Sequence, residues 1–115
     1  MPSAPFRVES FWPSRGVGLV EVAGEVDMHT AQELGEVLAA AVASRPRRLI
    51  ADLSAVGFID SIGLSALVRS ARSLQADGGS FEIVCAVKSL LEVFEIAGLT
   101  DVLTFHETRE EALGR

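Results

Sequence analysis

Apolar and polar positions follow two different periods along this chain, and the change between them predicts alternating strands and helices. The stretches Phe6–Phe11 and Val17–Val22 suit extended strands, with apolar residues loosely alternating in the second. Proline and glycine within residues 12–16 supply turn chemistry between them, so residues 6–23 predict a β-hairpin. We expect the chain to leave the second strand at Gly24–Asp27.

Apolar residues spaced three and four apart predict amphipathic helices. The first helix follows Thr30, which forms a capping-box pattern with Glu33, and ends near Ser44. The second begins at Ser61 and stops at the glycines 78–79, where glycine can adopt the left-handed conformation that ends a helix. Its apolar face comprises Leu64, Leu67, Val68, Ala71 and Leu74.

Short apolar runs between the helices predict strands that are buried on both faces. Such runs occur at Leu49–Leu53, Phe81–Val87 and Val102–Phe105, and we expect Ser54–Asp60 to be a connection. A third helix near Leu90–Ala97 and a final helical turn complete the order ββαβαβαβα. This order predicts a single α/β domain with a mixed, mostly parallel central sheet of four to five strands and helical crossovers.

The composition fits one domain and disfavours several classes of protein. With 49% hydrophobic and 23% charged residues in a chain of 115, disorder is not expected beyond a flexible lead-in at residues 1–5. The net charge of −6 disfavours direct nucleic-acid binding, because the only dense basic cluster is at 45–48. The single cysteine, Cys85, predicts a buried thiol in a reducing compartment. No apolar run approaches the length of a membrane span, so we expect a cytoplasmic protein with no membrane insertion.

The most informative segment runs from Asp52 to Leu64. It would place a strand end, a loop and the helix start Asp60-Ser61 at the carboxyl edge of a parallel sheet, where α/β folds carry their sites. Ser61 can be a plain helix N-cap. It can also accept a phosphoryl group, because a helix N-terminus favours an added anion. The residue pattern by itself leaves both roles open.

Enzymatic alternatives find little support in the sequence. A serine nucleophile elbow needs glycine two residues before Ser61, where Ile59 stands, and neither His29 nor His106 has a sequence-level reason to meet the serine. A receiver-domain role for Asp52 would need an earlier adjacent acidic pair, so we expect Asp52 to cap its strand end. Glycine-rich phosphate loops and metal-ligand spacings are also missing. We therefore expect a protein that is not an enzyme, with no catalytic residues, metal or cofactor.

Several motifs stand in the order and spacing of a known family. They are Gly24-Glu25-Val26-Asp27, Thr30-Ala31, Asp52-Leu53-Ser54, Phe58-Ile59-Asp60-Ser61-Ile62-Gly63-Leu64, and a late set of Leu91, Phe94, Gly98 and Leu99. Over residues 6–113 the chain resembles a STAS domain, and specifically a bacterial anti-sigma factor antagonist.

This resemblance implies a regulatory switch. In the family, the unphosphorylated protein binds an anti-sigma factor that is itself a serine kinase, and so releases the sigma factor. Phosphorylation of the serine after the aspartate ends the interaction, and a phosphoserine phosphatase restores it. Carried onto this chain, the acceptor is Ser61. The implied partner-binding residues are Asp27, Asp60, Ser61, Ile62, Gly63 and Leu64. The family often has Ser or Thr at the position of Ile62, so this chain departs from the pattern there.

A second role is open to the same fold. Some STAS domains resemble cytoplasmic subunits of lipid-transport ABC systems, where they bind the ATPase. The Asp60-Ser61 pair favours the regulatory role without deciding between the two, and the sequence leaves the oligomeric state open.

Overall fold

The computed structural model describes residues 5–114, so the lead-in expected at residues 1–5 lies outside the described residues except for Pro5. The order ββαβαβαβα is confirmed. Its elements are β1 Arg7–Ser14, β2 Val17–Val26, α1 Ala31–Ala43, β3 Arg48–Ile59, α2 Ser61–Ala76, β4 Ser80–Val84, α3 Lys88–Ile96, β5 Thr104–His106 and α4 Arg109–Leu113.

The five strands form one sheet in the spatial order β1-β2-β3-β4-β5. Strands β1 and β2 are antiparallel, because a short turn joins them and Gly16 there has a φ of +76°. The remaining neighbours, β2–β3, β3–β4 and β4–β5, are parallel, and each pair needs a helical crossover. Helices α1, α2 and α3 supply these crossovers, which confirms the predicted mixed, mostly parallel sheet.

Side chains alternate across the sheet and define two apolar clusters. Val20 and Val22 of β2 join the large core, which also holds buried residues of α1, α2 and α3. Leu19, on the other face, packs with Ala112 of α4 in a smaller cluster. The helices α1–α3 therefore cover one face and the short α4 covers part of the other. Cys85 is buried in the main core, as expected, and burial raises the pKa of its thiol.

Strand β3 is longer than the sequence predicts. Instead of a connection at Ser54–Asp60, the strand continues to Ile59 and stays paired with β2, which itself extends to Val26. The pairing shifts register between Glu21 and Ala23 and again between Gly24 and Glu25. Such irregularities interrupt the two-residue alternation of buried and exposed positions that identifies a strand in a sequence.

Candidate functional site

Two parallel strands end side by side and bring two separate sequence segments together. Val26 at the end of β2 pairs with Ile59 at the end of β3. Beyond the strands, the backbone N–H of Asp60 donates to the carbonyl oxygen of Val26 at 3.0 Å. The segment that begins at Asp27 and the segment that begins at Asp60 therefore leave the sheet next to each other at its carboxyl edge.

Asp60, and not Ser61, caps α2. Its backbone is extended, with φ −97° and ψ −177°, and its Oδ1 accepts hydrogen bonds from the backbone N–H groups of Ile62 and Gly63, both at 3.0 Å. Ser61 is therefore the first helical residue, which corrects the interpretation of Ser61 as N-cap. Because the carboxylate of Asp60 already occupies these two amides, they are not free to receive a phosphate.

The side chain of Ser61 is exposed. Among residues 5–114 its hydroxyl makes no hydrogen bond, while its carbonyl oxygen accepts one from the Ser65 hydroxyl at 2.8 Å. The hydroxyl is therefore open to solvent, next to the carboxylate of Asp60.

Gly63 lies under the surface of the site. A β-carbon built on it would lie 2.4 Å from Cγ1 of Val26 and 3.0 Å from Cγ1 of Ile59. Only a residue without a side chain lets the first turn of α2 approach the two strand ends this closely. Gly63 is buried, so its contribution is to position the exposed residues around it.

The loop after β2 is held by its own hydrogen bonds. The Asp27 carbonyl accepts from the N–H of Ala31 at 2.8 Å, and Asp27 Oδ1 accepts from the N–H of His29 at 2.9 Å. The Thr30 hydroxyl donates to the carbonyl of Glu25 at 2.8 Å and accepts from the N–H of Asp27 at 2.9 Å. The capping box predicted at Thr30 is therefore wrong, because the hydroxyl is engaged with the end of β2 and not with α1.

Exposed apolar side chains surround the Asp60-Ser61 pair. Met28, Phe58 and Ile62 are 67%, 48% and 51% exposed, respectively. Met28 and Ile62 line a groove of about 260 Å³ together with Arg69. We call the set formed by Asp27, Met28, Phe58 and Asp60–Leu64 the edge patch. Met28 was missed at the level of sequence, and Phe58 had no role assigned to it there, although it stands in the quoted motif.

Asp52 does not belong to the edge patch. It lies within β3, buried, so the expectation that it caps a strand end is wrong. Its Oδ1 accepts from the Ser54 hydroxyl at 2.5 Å, and its Oδ2 accepts from Nε of Arg109 at 2.9 Å. Burial alone would raise the pKa of Asp52, but the bonds from Ser54 and Arg109 outweigh it and lower the pKa. Arg109 also pairs with Glu21, so Asp52 helps to hold α4 on the sheet.

Glu82 forms a second buried cluster that is separate from Ser61. Its carboxylate accepts from Arg48 at 2.6 and 2.7 Å, contacts Nε2 of His106 at 2.7 Å and accepts from the Ser80 hydroxyl at 2.9 Å. Burial would raise the pKa of Glu82, but these partners outweigh it and lower the pKa to about 2. Arg48 also donates to the carbonyl of Ala112 in α4 at 2.6 Å.

The positions of the two histidines relative to Ser61 are described for residues 5–114. Within residues 5–114 neither His29 nor His106 hydrogen-bonds the serine. In the same range, no group of three His, Cys, Asp or Glu side chains is arranged to hold a metal ion. None of the helices in this part of the chain is both long and apolar enough to cross a membrane.

Comparisons of the sequence and of the structure with known proteins indicate the same family. The STAS domain model matches residues 14–112. Anti-sigma-F factor antagonist RsfB of Mycobacterium tuberculosis is 31% identical over 98 residues, which cover 85% of this chain and 80% of that protein. A crystal structure of an anti-sigma factor antagonist from Mycobacterium paratuberculosis has a TM-score of 0.87 and 33% identity, covering 98% of this chain and 97% of the other.

The same fold recurs at lower identity. The Bacillus cell fate determinant SpoIIAA in its phosphorylated form has a TM-score of 0.74 and 23% identity, covering 96% of this chain and 98% of that one. Because the family model covers most of the chain and a relative above 30% identity spans most of its length, this protein belongs to the STAS domain family.

Proposed function

We propose that this protein is an anti-sigma factor antagonist whose binding to its partner is switched off by phosphorylation of Ser61. The observation that carries the proposal is the exposed, unbonded hydroxyl of Ser61 at the first position of α2, next to the carboxylate of Asp60. The antagonist names of the relatives above 30% identity support the same role. The proposed partner is an anti-sigma factor with serine kinase activity, and a phosphoserine phosphatase reverses the modification.

The proposed unphosphorylated contact is centred on the edge patch. Met28, Phe58 and Ile62 offer exposed apolar area of the kind that interface cores use. Asp27 and Asp60 flank this area and are already engaged by their own loops. A partner would therefore meet apolar side chains and an exposed hydroxyl on a preformed backbone.

A phosphate on Ser61 would act mainly through its charge. It adds about −1.5 to −2 charges, beside a carboxylate that already occupies the amides of Ile62 and Gly63. At about 5 Å from an acidic group of the partner, each unit pair of like charges costs roughly 0.8 kcal/mol in water and about 3 kcal/mol at an effective dielectric near 20. A total of about 1.5 to 6 kcal/mol weakens binding from roughly tenfold to more than a thousandfold. The fold itself does not need to rearrange.

The proposal is tested by combining phosphosite mapping with a binding measurement. The protein is incubated with its cognate anti-sigma factor kinase and ATP, and the modified residue is located by mass spectrometry. We expect phosphate on Ser61 and no phosphate on Ser61→Ala. Ser61→Asp adds one charge, so its kinase binding by calorimetry should be about fourfold to a hundredfold weaker.

Ser73→Ala is the matched control, because Ser73 is an exposed serine about three turns further along the same helix and lies outside the edge patch. This variant should be phosphorylated and should bind as the wild type does. Undiminished phosphorylation of Ser61→Ala would contradict the proposal. Capture of a transporter ATPase from the source cell, with no kinase, would instead support the role of an ABC-system subunit.

A further inference from the structure

Helix α2 carries positive charge, whereas the chain as a whole is negatively charged. The protein has a net charge of −6, yet the only charged residues of α2 are Arg69 and Arg72. Both are exposed, and within residues 5–114 neither makes a hydrogen bond or an ion pair. Arg48 and Arg109, by contrast, each pair with carboxylates on the sheet. Within residues 5–114 the two arginines of α2 therefore have no carboxylate within about 4 Å.

A groove lined by both apolar and polar side chains includes these arginines. Its first part, about 380 Å³, lies between α2 and the segment after α3, and its lining includes Leu64, Val68, Arg72 and Leu99. A second part of the groove has a volume of about 210 Å³, and its lining includes Val68, Arg72, Leu99 and Leu103. Within the described part of the chain, no Asp or Glu lines either portion.

The second part of the groove also has an exposed apolar side chain. Val102, which lines it, is 56% exposed. Leu64 belongs both to the groove and to the edge patch, so the two surfaces are continuous. The lining of the groove therefore combines apolar side chains with the two arginines.

We propose that this groove, defined by Leu64, Val68, Arg69, Arg72, Leu99 and Val102, receives an acidic, amphipathic segment of the anti-sigma factor. The inference rests on the proposed function and extends its contact from Ser61 along α2. Guanidinium groups bind carboxylates in a paired geometry, and neither arginine has to give up an existing partner to do so. Apolar side chains of the same segment pack against the apolar lining, as in other groove-bound amphipathic segments. Nucleic acid is disfavoured as the occupant by the net charge of −6.

The test compares Arg69→Gln/Arg72→Gln with wild type in binding the cognate anti-sigma factor. We expect the double variant to bind about 2- to 30-fold more weakly at low salt, because two exposed charge pairs are lost. The ratio should shrink at high salt because screening weakens such pairs in the wild type. Glutamine has nearly the helix propensity of arginine, so equal melting temperatures are expected to show an intact fold.

The matched control is Arg15→Gln, an exposed arginine in the β1–β2 turn at the opposite end of β2. It should bind within about twofold of wild type. A second variant, Val102→Ser, removes an exposed apolar side chain from the groove. It should weaken binding several-fold, with a ratio that does not depend on salt. Equal affinity of the wild type and of both groove variants would overturn the inference.

The outcomes separate this inference from the proposed function. If Ser61→Asp weakens binding but the arginine double variant does not, the groove assignment is wrong and the Ser61 switch stands. If Ser61→Ala is phosphorylated as the wild type is, and Ser61→Asp binds the kinase with wild-type affinity, the proposed function is wrong whatever the groove variants show. If sedimentation shows that the double variant has instead lost a self-associated dimer, the occupant is a second copy and the inference is overturned.

Discussion

The close packing beneath the site requires a residue without a side chain at position 63, which is Gly63. Gly63→Ala would place a methyl group 2.4 Å from Cγ1 of Val26. We expect a loss of about 1 to 3 kcal/mol in the free energy of unfolding, because overpacking forces neighbouring groups to shift. Urea denaturation measures this loss.

Gly57→Ala provides the comparison. Gly57 lies in β3 and is exposed, and a methyl group added there would meet no atom within 4 Å beyond its chain neighbours. This variant should stay within about 0.5 kcal/mol of wild type or gain slightly. Equal losses for both glycines would show that close packing against Val26 is not what Gly63 provides.

Single residues of the site could be predicted from sequence where their partners are close in the chain. Asp60 and Ser61 are adjacent to the amides at the helix start, so the motif located that start to within one position. Asp52 could not be interpreted in this way, because its partner Arg109 is 57 residues away. Thr30 matched a capping box by spacing, but its hydroxyl contacts the end of β2.

One face of helix α2 packs in the core and another belongs to the proposed binding surface. Leu67 lies on the first face and Leu64 on the second. Leu67 is fully buried in the main core, while Leu64 is half-buried in the edge patch. We expect Leu67→Ala to lower the free energy of unfolding by about 2 to 5 kcal/mol. Leu64→Ala should cost less than about 2 kcal/mol because less area is buried, and should weaken binding to the anti-sigma factor.

Chemical denaturation and calorimetry distinguish the two effects. Leu67→Ala should bind with nearly normal affinity under conditions in which it is folded. A loss of affinity in Leu67→Ala that exceeded that of Leu64→Ala would contradict the division of α2 into a core face and a partner face.

Among the elements, the type and order followed from the sequence, whereas several boundaries did not. Strand β1 continues past Phe11 to Ser14, β3 continues past Leu53 to Ile59, and β4 ends at Val84 instead of Val87. Helical spacing is strong in α1, α2 and α3, since each packs one side on the sheet. Strand β3 beyond Leu53 gave no such signal, because its pairing with β2 shifts register and its apolar residues are no longer evenly spaced. The same irregular portion ends at Ile59 and delivers Asp60 to the edge patch.

Across the whole molecule, charged side chains fasten α4 to the sheet. Glu82 joins β4 to Arg48 of β3 and His106 of β5, and Arg48 continues to the Ala112 carbonyl. Arg109 connects α4 with Asp52 and with β2. These links could not be predicted from the sequence, since they join residues that are distant along the chain.

Low pH should weaken these charged contacts and lower the free energy of unfolding. The pKa of Glu82 is about 2 in the folded protein and 4.5 is its ordinary value. A lowered folded pKa gives stability that is complete above about pH 4.5 and is lost as the pH falls toward 2. The contribution is about 3 kcal/mol for a shift of this size, and Asp52 acts in the same direction.

Unfolding free energies from urea titrations between about pH 2.5 and 6 measure the effect. Glu82→Gln should be less stable than wild type at the upper end of this range and should lose less on acidification. Glu95→Gln, at an exposed position of α3, should follow the wild-type profile. An unchanged acid slope in Glu82→Gln would show that another group dominates.

The backbone bond from Asp60 to the Val26 carbonyl also bears on the timing of the proposed signal. Both segments that carry the edge patch start from neighbouring strands of one sheet, so the unphosphorylated surface is assembled before any encounter. Association then needs no prior conformational change in this protein. The association rate constant should therefore be set by diffusion and by the charges of the two partners. The response time of such a switch would be set by the turnover of the kinase and the phosphatase, and the protein would store the signal only as long as its phosphate lasts.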